Sequence, residues 1–362
     1  MTKTPSRCRG VRSGFSGAGF TLLEMMVALA IFLLVSSVAF TLFNRQQSLL
    51  VEQQGLAGLN IGLRNALTQI QLDLINAANG VTKVVGPYVP AWPVGVTLTN
   101  QAPTTACNVP STYTYTSTCF DTLNIIISDP QTPAWHVESD TSGSAVDTST
   151  QNTLYAIPAG SYLPATYAAN FAAGDTVLLV SSSGSSFTTL NLTTAGVAYP
   201  SGSPTAIKLT YTSTSAAGIN PSDNYMLTTY AASSNSLAVS YTTSDWLVRL
   251  TPITYSVDST TDTTNPKLQR QVNGGTASVV MEQVVGFRVG ANVDNTNTYY
   301  YNAASDYTNN FSAIRSVRVS LIGRSKPNST NRYRNQFDGG PYHVLGSSII
   351  VNPRNLTLDS NE

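Results

Sequence analysis

FTLLEMMVALAIFLLVSSVAFTLF, residues 20–43, is an apolar run interrupted by one ionisable side chain, Glu24. At helical rise such a run reaches about 36 Å, enough to cross the roughly 30 Å hydrocarbon core of a bilayer with some tilt. A carboxylate inside it costs about 2.5–3.5 kcal/mol on insertion scales, so its retention points to a neutralising partner. Lys3, Arg7, Arg9 and Arg12 precede the run with no acid among them. By the positive-inside rule these hold the N-terminus in the cytoplasm and send the rest of the chain outward. A cleaved secretory signal has a shorter apolar stretch, typically about 7–15 residues. Length and Glu24 therefore argue against cleavage near Ser36, Ser37 or Ala39. A plain signal anchor, with Glu24 near enough the membrane face to reach water, stays open.

After Phe43 the sequence turns polar but keeps helical spacing: Leu49, Leu56, Leu59, Leu63, Leu67, Ile70 and Leu74 fall on one stripe. The helix is expected to continue to Ala78, about 90 Å from Phe20, with Asn79-Gly80 as the stop. Gly55, Gly58 and Gly62 weaken it by up to about 1 kcal/mol each. They either permit local melting or let a sheet approach closely.

From residue 81 onward, short alternations bounded by Gly, Pro, Asn and Ser predict strands and long loops. Leu123, Ile125 and Ile127 share a face, as do Val177 and Leu179, then Leu237 and Val239. Residues 130–165 and 291–310 lack alternation and read as surface loops. Only 10% of the 362 residues are charged, and the balance is uneven. Between residues 84 and 244 Lys208 faces seven acids, whereas 11 basic groups lie from Arg249 onward. Losing residues 1–19 removes four basic groups and no acid, leaving 15 against 19, a net −4.

Cys8 lies in the basic leader, which leaves Cys107 and Cys119 as an even pair in an oxidising compartment. A bridge across that short loop constrains the unfolded chain by roughly 3 kcal/mol; the alternative is two buried thiols. Neither His136 nor His343 stands at ligand spacing from the pair, so no metal or other cofactor is expected. Asp140 with Asp147, and Asp294 with Asp306, match no calcium loop. The chain offers two His, no G-x-S-x-G elbow and no P-loop, and Gly274-Gly275 and Gly339-Gly340-Pro341 read as turns. An enzyme is not expected. Arg315, Arg318, Arg324, Lys326, Arg332 and Arg334 cluster around Tyr333 without an acid and form a candidate polyanion patch for DNA. The competing reading is a half-buried strand, Val317, Val319 and Leu321 inward, with a basic outer face that meets the acid-rich middle region or a protein partner.

Gly19-Phe20-Thr21-Leu22-Leu23-Glu24 resembles the signature of the type IV pilin and pseudopilin family. The resemblance implies cleavage between Gly19 and Phe20 by a prepilin peptidase and N-methylation of Phe20. It also implies that Glu24 pairs with the terminal ammonium of a neighbouring subunit, each charge relieving the burial cost of the other. A second resemblance runs through Tyr255-Ser256-Val257-Asp258, Lys267-Leu268-Gln269-Arg270-Gln271, Val284-Val285-Gly286-Phe287-Arg288-Val289, Arg315–Ser325 and Asn352-Pro353-Arg354-Asn355-Leu356. Their order is similar to the C-terminal half of PilW-type minor pilins and of J-type pseudopilins of type II secretion.

The expected fold is thus α+β: a long N-terminal helix packed on an antiparallel β-sheet head with a large β-rich insertion. Residues 1–19 are the leader, 20–43 the membrane and filament-core segment, 44–80 the amphipathic half of the helix and 81–362 the head. Within the head, 84–244 form the enlarged insertion and 245–362 the pilin-type sheet. The implied function is a minor pilin that primes a type IV pilus and enters it near the tip. Alternatives are a J-type pseudopilin and a tip adhesin or DNA-binding subunit. Implied partners are the lipid bilayer, other minor pilins, the major pilin, the prepilin peptidase and an inner-membrane assembly platform. The chain would sit single-pass in the inner membrane with its head in the periplasm, then reach the cell surface in the pilus. Intact mass and N-terminal sequencing of the exported protein should give a start at methylated Phe20; any other first residue contradicts the reading.

Overall fold

The structure is a computed structural model that describes residues 21–78, 95–101, 114–129, 132, 134–138, 146–147, 152–158, 164–180, 182, 187–211, 240–293, 297–308, 311–326 and 334–357. The chain divides into two compact units, Met1–Gly55 and Leu56–Glu362. One helix, α1 (Leu22–Ile75), runs through both.

In the first unit the described residues after Thr21 are all helical. No proline interrupts them, and Leu, Ala and Met are good helix formers. The apolar side chains from Leu22 to Phe43 are exposed in every direction. Thr41 donates its hydroxyl to the Ser37 carbonyl at 2.8 Å, and Ser48 does the same to Arg45. Such local bonds satisfy a hydroxyl without any partner outside the helix.

In the second unit α1 becomes one-sided. Leu59, Leu63, Ala66, Leu67, Ile70 and Leu74 are buried, Leu56 is half-buried, and Leu49, in the first unit, is exposed. The stripe is thus realised from its middle onward. The helix ends at Ile75, a turn earlier than expected, and Ala78 takes a positive φ of 60° beyond it. Asn79-Gly80 lie outside the described residues.

Among the described residues the head contains sixteen strands: β1 Val96–Thr99, β2 Thr122–Ser128, β3 Trp135–Glu138, β4 Val146–Asp147, β5 Thr153–Pro158, β6 Thr176–Val180, β7 Phe187–Asn191, β8 Val197–Tyr199, β9 Ala206–Thr210, β10 Ser240–Tyr241, β11 Trp246–Asp258, β12 Lys267–Val272, β13 Ser278–Glu282, β14 Val284–Asn292, β15 Ser316–Arg324 and β16 Val344–Val351. Among the described residues these strands pair antiparallel throughout.

Strand β11 organises them. Its first part, Trp246–Leu250, pairs with β6 and, through Trp246 and Leu247, with β3. Its second part pairs with β2 over Leu250–Tyr255 and with β12 over Ile253–Asp258. Pro252 falls between the end of β6 pairing and the start of β12 pairing. Its carbonyl accepts from Asn273 N on the β12 side, so the missing N–H faces the seam where no ladder bond is needed.

Two cores follow from this division. One joins α1 to β1, β2, the second part of β11, β12 and the three-stranded sheet β14-β15-β16. The other, around Trp135, Phe171, Val177, Leu179, Ile207 and Leu247, joins the first part of β11 to β3, β5, β6, β7 and β9. Within residues 84–244, β1 and β2 carry Val96, Leu98, Leu123 and Ile125 into the core shared with α1. Leu123 and Ile125 share a buried face as expected, with Ile127 packed against that core, and Ile126 is buried in a small cluster with Leu178 and Leu250. Leu237 and Val239 lie outside the described residues.

Close approach between helix and sheet is supplied by a strand glycine. A Cβ on Gly323 would lie 2.7 Å from Leu59 Cδ1 and 2.5 Å from Met281 Cε, whereas one on Gly58 would meet nothing within 4 Å and one on Gly62 would make ordinary contact with Met281. Asp73, on the buried stripe, fastens α1 to the sheet. It accepts from Tyr255 Oη at 2.6 Å and from Arg270 Nε and Nη2 at 2.7 and 3.2 Å. Removing the carboxylate strands a buried hydroxyl and most of a guanidinium. Asp73→Ala should lower unfolding stability by roughly 2–4 kcal/mol, Arg270 keeping some water, and Tyr255→Phe by about 1 kcal/mol. Denaturant unfolding of the full chain in detergent measures both.

Candidate functional site

Gly19 and Phe20 lie outside the described residues, so the site begins at Thr21. Thr21 N and Oγ1 donate to Glu24 Oε2 at 3.0 and 3.1 Å, and Glu24 N donates back to Thr21 Oγ1 at 3.3 Å. This is a capping box: T-x-x-E satisfies backbone donors that a helix start leaves without partners. The sequence reading gave Glu24 a partner in another subunit and overlooked this local one, although the spacing Thr21-Leu22-Leu23-Glu24 was there to be read.

Cys119 closes a short 3-10 turn (Ser117–Cys119), is buried against the α1 core and is disulfide-bonded. Cys107, its expected partner, lies outside the described residues. Asp140, Asp294 and Arg332 also lie outside them. Among the described residues no three His, Cys, Asp or Glu side chains are grouped as metal ligands.

The six-residue basic patch does not form as one surface. Val317, Val319 and Leu321 face the core as the strand reading expects, and Arg318 leaves from the opposite face. Arg315 Nη1 donates to the Leu356 carbonyl at 3.1 Å. Lys326 and Arg334 are exposed. Arg324 is 2% exposed, which removes it from any surface patch. It lies at the end of β15, where Gln283, Thr264 and Tyr342 supply acceptors: Nε donates to Gln283 Oε1 at 2.6 Å, Nη1 to Tyr342 Oη at 3.2 Å, and Nη2 to the Thr264 carbonyl. Its guanidinium carbon stands 4.8 Å from the Tyr342 ring centre and 5.8 Å from that of Tyr115. A delocalised, weakly hydrated cation between aromatic faces can be buried where an ammonium would not be.

Asp338 completes this cluster. Both Tyr115 and Tyr342 donate hydroxyls to its Oδ2, while Asn335 Nδ2 and Gly340 N donate to Oδ1 at 2.8 and 3.0 Å. Gly340 is required here because a Cβ would sit 2.3 Å from the Tyr342 ring, and Gly339 adopts φ 74°. The predicted Gly339-Gly340-Pro341 turn thus also carries a buried polar cluster that the sequence reading missed.

Other basic groups of the last third do meet acids of the middle region. Arg288 Nη1 reaches fully buried Asp121 at 2.9 Å, which also accepts from Val289 N and Gln101 N. Arg249 bridges Asp129 and Asp175 at the β11 seam.

Residues 16–40 match the family model described as the prokaryotic N-terminal methylation motif. The chain carries the N-terminal methylation motif. Its long N-terminal helix and antiparallel head are a pilin-like α+β fold, and its apolar helix suits a membrane-anchored pilin. A type IV-like pilin from Thermus thermophilus, TTHA1219, is similar at 13% identity with a TM-score of 0.18, over 30% of this chain and 66% of that one, just under two thirds of its length. At that score the superposition carries no argument about this chain. No curated protein matches the chain.

The buried cluster gives the head a pH signature. Burial pushes the Asp338 carboxyl up, but the hydrogen bonds from Tyr115, Tyr342, Asn335 and Gly340 outweigh it and leave the pKa below the ordinary value. Burial first, then the bond to Asp338, pushes Tyr342 up to about 12. A depressed acid stabilises above its unfolded pKa of about 3.9 and loses that contribution as pH falls further; a raised tyrosine stabilises below about 10 and loses it as pH climbs past that value. The melting temperature of the protein should therefore fall at both ends, and Tyr342→Phe should flatten the decline between about pH 10 and 12. Thermal scans across pH test this.

Proposed function

We propose that this chain is a minor pilin of the PilW type, which primes a type IV pilus and is incorporated near its tip. The observation that carries the reading is the combination of a methylation-motif helix with a head enlarged by a second core. In this reading a prepilin peptidase cuts between Gly19 and Phe20 and methylates the new amine. The bare apolar part of α1 then holds the subunit in the inner membrane, its head in the periplasm, until it passes to a bundle of like helices. An exposed apolar surface of that kind is not sustained in water.

Assembly is set by Glu24. A carboxylate at the fifth mature position meets the terminal ammonium of the adjoining subunit, and in low dielectric that attraction fixes the stagger between neighbours. The lobe around Trp135 and Phe171 adds bulk that a shaft subunit would have to accommodate, which supports a position at an end. Partners are other minor pilins, the major pilin and the inner-membrane platform, and the work is mechanical rather than catalytic. A Cys107–Cys119 bridge is part of the proposal, supported by the oxidised state of Cys119. The polyanion reading loses support because Arg324 is enclosed and Arg315 is tied to a carbonyl.

Glu24→Gln separates the two roles of the side chain, since a carboxamide still accepts from Thr21 and carries no charge. The variant should accumulate in the membrane yet be missing from sheared fibres, and deletion of the gene should abolish surface pili. Wild-type incorporation of Glu24→Gln, or undiminished piliation in the deletion strain, overturns the proposal.

A further inference from the structure

We draw no further inference here: the strongest candidate, the sheet face opposite the Trp135 core, where Trp246 of β11 stacks on His136 of β3 with ring centres 3.9 Å apart and Tyr155 of β5 meets Tyr199 of β8 at 4.8 Å, carries nothing because nothing in the structure shows what covers it.

Discussion

A single helix that must satisfy two different surroundings is the constraint on which the rest of this protein depends. From Leu22 to Phe43 its apolar side chains are exposed all round, while from Leu59 to Leu74 one apolar stripe is buried and the other faces, Ile61 and Leu72 included, are exposed. The first pattern needs lipid or other apolar helices; the second needs a sheet. The head is correspondingly built to grip the second pattern alone, with Gly323 letting β15 come close to Leu59 and Asp73 adding a charged tie.

Charge is scarce in this chain, and much of it is used inside the head. Asp73 ties α1 to β12, Asp121 ties the β1–β2 region to β14, and Asp175 with Asp129 ties the seam of β11. Each pair joins segments far apart in sequence. Buried ion pairs of this kind add little net stability over apolar packing, but an unmatched member is costly, so they penalise misplacement of one element against another. That suits a head whose two cores share a single strand and could otherwise slip relative to each other.

The features legible in the sequence were those with a local cause. The apolar run, the stripe after residue 56, the inward face of β15 and the turn at Gly274-Gly275, where Asn273 and Gly274 both take positive φ, follow from periodicity and backbone chemistry. The misplaced features depend on long-range pairing. Nothing near Thr122–Ser128 shows that β2 joins Leu250–Tyr255 rather than its neighbours in an insertion. Arg324 reads as another surface cation because its parity matches Arg318. Its enclosure comes from Tyr115 and Tyr342, one of them more than two hundred residues away in the chain. The capping box is the opposite case, a local pattern passed over because the longer-range role of Glu24 was more conspicuous.

Those two roles of Glu24 are compatible on physical grounds. An ionised carboxylate offers about four acceptor sites on two oxygens, and the bonds it accepts from Thr21 both fall on Oε2. A neighbouring ammonium can therefore be received without melting the first turn. The helix N-terminus also carries a partial positive charge, which favours an anion there before any partner arrives. The same carboxylate thus lowers the cost of burying the helix start in the free subunit and supplies the charge for the proposed contact. A cap of Ser or Asn at Thr21 with an apolar third residue after it would give the helix but not the pair. An acid three residues past the cap, inside an otherwise uncharged run, is what joins the helix start to the proposed contact in this chain.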